Sequence, residues 1–120
     1  MIRTSLVAAF SMLPAVAVAA PFDGSWALSR SDCAAKGDRV PVTIAGDTID
    51  FYESACEIAS LEPIGSQGAA WVVTRTCKGE GETWPVRSIF AIDQSEGNAA
   101  RQLIEIDLDN GSVTVRQSCN

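Results

Sequence analysis

The sequence predicts an all-β domain, a small antiparallel meander of about seven strands curled into a barrel or sandwich. Three observations carry that expectation. Apolar and polar residues alternate with a period of two in short runs, the spacing of half-buried strands, and no run has a convincing helical period. Gly46-Asp47 and Asn110-Gly111 stand between such runs, and both dipeptides suit two-residue hairpin turns. Four cysteines, Cys33, Cys56, Cys77 and Cys119, follow an export signal, the pattern of a small domain held by two disulfides.

The export signal opens the chain. Arg3 supplies a positive n-region, Leu6 to Val18 an apolar h-region, and Ala17-Val18-Ala19 a small-residue cleavage pattern. The apolar stretch is about 13 residues long and holds Pro14, whereas a bilayer-spanning helix needs roughly 20. Residues 1–19 are therefore expected to be cleaved, leaving residues 20–120 as one domain in the periplasm or secreted, without a transmembrane segment. The first cysteine, Cys33, lies too far from the cleavage site for a lipid anchor.

Gly24 to Arg30 is the first strand candidate, followed by a polar loop, Ser31 to Asp38, with room for one helical turn. Val40 to Ile44 and Thr48 to Phe51 flank Gly46-Asp47, which places Val42, Ile44, Ile49 and Phe51 on one face. Thr48 to Leu61 reads as one long strand bent near Glu53-Ser54, and Ala70 to Cys77 follows the turn-rich Glu62 to Gly68. Thr83 to Asp93 sets Trp84, Val86, Phe90 and Ile92 on one side and Arg87 and Asp93 on the other. In the last hairpin Ile104, Ile106 and Leu108 alternate with Glu105, Asp107 and Asp109. Across Asn110-Gly111, Leu108 is expected to face Val113 and Ile106 to face Val115, giving one apolar face.

This layout predicts the disulfides. A hairpin centred near Ser66-Gln67 sets Cys56 opposite Cys77, at a Cα separation of about 4.5 Å if the pair is not hydrogen-bonded. Cys33 is then left with Cys119. Seven strands bring those two to the same end of the barrel, whereas an eighth would separate them, so the cysteines favour seven.

Composition narrows the chemistry. With Arg3 removed, eight basic residues face fifteen acidic ones, a balance with no footprint for nucleic acid or an anionic membrane. The chain has no histidine, which excludes Ser-His-Asp and Cys-His catalysis and removes the commonest zinc and copper ligand. Paired cysteines remove thiolate chemistry as well. A non-enzymatic protein is expected, monomeric and needing no metal or other cofactor.

Several residues invite a role. Trp26, Trp71 and Trp84 suit a cavity lining or an exposed anchor, although a small β core needs such aromatics simply to fill it. Asp107-x-Asp109-Asn110-Gly111 looks like the start of a calcium loop, but the position that needs Glu, eleven residues after Asp107, is Ser118. Lys78-Gly79-Glu80-Gly81-Glu82 reads as a flexible acidic loop whose Glu80 and Glu82 suit a basic partner. Tyr52 and Glu53 sit at the expected bend, where strand irregularities often redirect side chains. These four, Tyr52, Glu53, Glu80 and Glu82, are the candidate binding residues.

Gly24-Ser25-Trp26 resembles the Gly-x-Trp that opens calycin barrels, which include lipocalins and bacterial inhibitors of secreted metalloproteases. The resemblance implies a tryptophan that plugs one end of a barrel and packs on a basic residue. The chain departs from those inhibitors in its second cysteine pair and in the short Ala20 to Asp23 segment before the motif, too short for their inhibitory N-terminal trunk. Trp26, Cys33, Phe51-Tyr52, Cys56, Trp71, Cys77 and the Gly-Glu-Gly-Glu run also resemble small periplasmic proteins of alphaproteobacteria, a likeness that brings no activity with it. The expectation is a periplasmic binding protein that inhibits a basic envelope hydrolase such as lysozyme. A cell-envelope structural or assembly factor and a carrier of a small hydrophobic ligand are the alternatives. The carrier is disfavoured because seven short strands fill with their own side chains.

Overall fold

The computed structural model of the protein describes residues 9–12, 21–95, 97 and 100–119. The export signal and its cleavage pattern lie almost wholly outside the described residues; Phe10 and Met12, within it, are exposed. Eight antiparallel strands form a closed barrel in which each strand pairs with its sequence neighbour and the last with the first. They are β1 (Gly24–Ala27), β2 (Val42–Ala45), β3 (Thr48–Phe51), β4 (Ser54–Pro63), β5 (Ala70–Gly79), β6 (Glu82–Asp93), β7 (Gln102–Asp107) and β8 (Val113–Ser118). Two 3-10 turns, Arg30–Ala34 and Gly37–Arg39, occupy the polar loop after β1.

The all-β meander barrel and both disulfides stand as the sequence predicts, and the strand count, eight, is one above the expected number. The extra strand arises at Tyr52-Glu53. Glu53 adopts φ 61° and Phe51 pairs with Ser54, so the chain reverses where a bend was expected. Eight strands still permit the Cys33–Cys119 bridge because Cys33 does not stay where β1 ends. The Arg30–Ala34 turn packs back against β1, while the Cys119 amide donates to the Ser25 carbonyl at 2.9 Å. Cys56 and Cys77 are directly opposed on β4 and β5 with a Cα separation of 4.0 Å.

The period-two pattern sends Val42, Ile44 and Ile49 inward, with Phe51 partly buried beside them. Trp71, Val73, Cys77, Phe90 and Leu103 join them from the other side of the barrel. One end is plugged by Phe22, fully buried just before β1, whose ring meets Trp71 and Phe90 edge-on at 5.5 and 5.4 Å. Trp26 lies deep beside it: its indole N–H donates to the Phe22 carbonyl at 2.8 Å, and the Arg101 guanidinium sits 5.1 Å from its ring.

The last hairpin differs from expectation in register and in facing. Ile106 pairs with Val113 and Ile104 with Val115. The turn is wider because the Asp107 carboxylate accepts the amides of Asp109 and Asn110, reversing the chain before Leu108 can join the ladder. The apolar row faces outward, with Val113 61% exposed, and Leu103 and Glu105 point in.

Candidate functional site

The four candidate residues come together at one end of the barrel, opposite the Phe22 plug. Tyr52 and Glu53 form the two-residue β3–β4 turn, and both are exposed. Glu80 and Gly81 form the β5–β6 turn, and Glu82 opens β6. The expected flexible loop is therefore a tight hairpin: Lys78 and Gly79 belong to β5, and Gly79 pairs directly with Glu82. The two turns are more than 25 residues apart in the sequence, yet they touch. A Cβ placed on Gly79 would lie 2.7 Å from the Glu53 carbonyl oxygen and 3.0 Å from the Ser54 Cβ. Gly79 is a glycine because the neighbouring turn rests on its backbone.

Glu53 (φ 61°) and Glu80 (φ 50°) are the non-glycine residues with positive φ among the described residues. Glycine would adopt either conformation at lower cost. Trp84, 36% exposed, leans over Gly79 between the two turns, while Trp26 and Trp71 belong to the core. The rim thus presents three carboxylates, a tyrosine and the edge of a tryptophan.

The interior is packed by Trp26, Ile44, Ile49, Val73, Phe90 and Leu103, as expected for short strands, and a half-open cleft lies beside this rim. A cavity of about 320 Å³ opens at the same end, bounded by Trp26, Leu28, Val40, Val42, Phe51 and Tyr52, with Arg116, Arg39 and Asp38 as its charged neighbours. Below it lies an ionic cluster inside the barrel. The Arg75 guanidinium donates to Glu105 Oε2 at 2.7 Å, Ser88 Oγ donates to the same oxygen at 3.0 Å, and Arg116 donates to Oε1 at 3.1 Å. The rings of Phe51 and Phe90 flank Arg75 at 5.9 and 5.3 Å, and Arg116 lies 5.7 Å from Phe51. Burial alone would raise the Glu105 pKa, but the two guanidiniums outweigh it and hold the carboxyl below its ordinary value.

By local alternation Glu105 belongs to the polar face, which hides this cluster. One signal was present. Arg75 sits at the period-two position between Val73 and Cys77, so if those face inward Arg75 must as well, and a buried guanidinium needs a carboxylate. The acidic β7–β8 turn is accounted for by its own hydrogen bonds, including Ser112 N–H to Asn110 Oδ1 at 2.9 Å. Among the described residues no three acidic or cysteine side chains come together as a metal site, and no helix is long and apolar enough to cross a membrane. Compared with protein-family models, curated proteins and solved structures, the chain matches none.

Proposed function

We propose that this barrel is a non-enzymatic periplasmic binding protein whose open rim inhibits a basic envelope hydrolase such as lysozyme. The observation that carries this reading is the pairing of the two turns. Glu53 and Glu80 are each held in a left-handed conformation that glycine would adopt more cheaply, and they are packed into one rim through Gly79. Such strain is most economically read as serving the direction of the carboxylates. Tyr52 and Trp84 supply the amphipathic surface that binding sites favour, and the acidic net charge draws a cationic partner toward the molecule.

The test is inhibition of lysozyme in a turbidity assay. The protein is expected to inhibit at low salt and to lose potency as salt screens the rim. Glu80→Lys with Glu82→Lys is expected to slow association while leaving stability within about 0.5 kcal/mol, since exposed charges act mainly on encounter. Absence of inhibition at micromolar protein and low ionic strength overturns the reading. A small-ligand carrier is the second reading, favoured by the cavity of about 320 Å³ at the same end.

A further inference from the structure

We infer that the cavity at the open end is a receptor for a small organic carboxylate with an apolar body, anchored by Arg116. The inference gives the carrier reading its ligand class and rests on that reading; it is independent of hydrolase inhibition.

The charge inside the barrel is unbalanced. Two guanidiniums, Arg75 and Arg116, share the one carboxylate of Glu105, so the cluster carries a surplus positive charge at side-chain exposures of only 5, 13 and 11%, respectively. The surplus belongs to Arg116. Arg75 is the deeper of the two, hydrogen-bonded to both Glu105 and Ser88, and its pairing with Glu105 is already neutral. Among the described residues, Arg116 has Glu105 as its one hydrogen-bond acceptor, reached through a single nitrogen. A guanidinium carries five N–H donors in a planar fork that matches a carboxylate, so donors are left over.

Those leftover donors belong to the one member of the cluster that also lines the cavity. Around it the walls are apolar and aromatic: Trp26, Val40, Val42 and Phe51. Apolar walls with a few polar groups are the usual make-up of a small-molecule site, and the volume is at the lower end of the usual range. Two other charges stand at the mouth. Arg39 is already engaged by Asp32 at 2.9 Å, and Asp38 is exposed on the Gly37–Arg39 turn, where water screens it. Arg116, drier than either, sets the sign that an occupant must have. A bound carboxylate would complete the pairing that Glu105 leaves half made, with its apolar body against Phe51 and Trp26.

Calorimetric titration of the disulfide-bonded protein with benzoate and with octanoate tests this, using benzamide and octanamide as neutral counterparts. At least one acid is expected to bind saturably below about 10 mM, and about tenfold or more tighter than its amide, the ratio a charge-assisted hydrogen bond produces. Arg116→Met is expected to remove that preference. Val40→Trp, at an exposed position outside the strands, is expected to block the mouth and abolish binding with an unchanged melting temperature, so the test survives if the Arg116 variant fails to fold. An amide that binds as well as its acid would leave a carrier in place but overturn the assignment to carboxylates. Binding of neither acid, or undiminished binding to the Val40 variant, overturns the site itself.

Discussion

Replacing Glu105 by Gln tests the ionic cluster most directly. The amide keeps the shape of the carboxyl and can still accept from Ser88, so the change is almost purely one of charge. In the wild type one negative group neutralises two guanidiniums whose side chains are only 5% and 13% exposed. Without it, two like charges remain in a space walled by Phe51 and Phe90. Removing one partner of a buried ionic group costs about 3–5 kcal/mol, because the remaining charge stays desolvated. For a domain near 100 residues each kcal/mol corresponds to about 4–8 °C, so a melting temperature lower by roughly 12 °C or more is expected. Arg116→Met provides the contrast. It leaves the neutral Arg75–Glu105 pair intact and replaces a stem of similar length, so a cost below about 1.5 kcal/mol is expected. The same carboxyl sets an acid limit. Because its pKa is lowered in the folded protein, the unfolded chain takes up the proton first as pH falls. The stabilisation is therefore complete above the ordinary glutamate value near 4.5 and is lost as pH drops through the lowered folded value. Thermal scans across acidic pH should show this limb in the wild type and a flatter one in Glu105→Gln. A Gln variant that melts with the wild type, or one less damaging than Arg116→Met, would refute the charge argument.

Gly79→Ala should cost about 1–3 kcal/mol and shift the amide resonances of Tyr52, Glu53 and Ser54, because the new methyl would enter the space of the Glu53 carbonyl; unmoved resonances there would show that the turns are not coupled. Phe22→Ala should cost about 3–5 kcal/mol in denaturant unfolding, since it removes the plug against Trp71 and Phe90; near-wild-type stability would mean that the plug is dispensable. Alkylation of the native protein should add no label before reduction and four labels after it, as both cysteine pairs are bridged.

The barrel was legible where its information is local. Val42, Ile44, Ile49 and Phe51 declare their face by alternation around Gly46-Asp47, and simple counting across one turn sets Cys56 against Cys77. Legibility failed where several strands decide together. Ile104, Glu105 and Ile106 look like an isoleucine face turned inward, and by local pattern that is the better reading. It is overruled by Arg75 on β5 and Arg116 on β8, which are 30 and 11 residues away and make the inward carboxylate necessary. Tyr52, Glu53, Glu80 and Glu82 were found individually because turn residues stand out, but their common rim depends on Gly79, whose role exists only once β3, β4 and β5 are side by side.

The ring closes at its weakest joint. β1 and β8 meet through two residue pairs, Trp26 with Ser118 and Ala27 with Gln117, the shortest ladder in the barrel, and the Cys33–Cys119 bridge lies beside it. The covalent link acts there as a rivet behind a two-toothed zip. In a reducing environment the rivet is lost and the zip can open, turning a sheet without edges into one with two. One of those free edges is β8, whose Val113 and Val115 already face outward. An unpaired apolar edge recruits the complementary edge of another molecule, so reduced copies should string together head to tail before they unfold. The Cys33–Cys119 bridge thus fixes covalently the joint that the ladder closes with the fewest residue pairs.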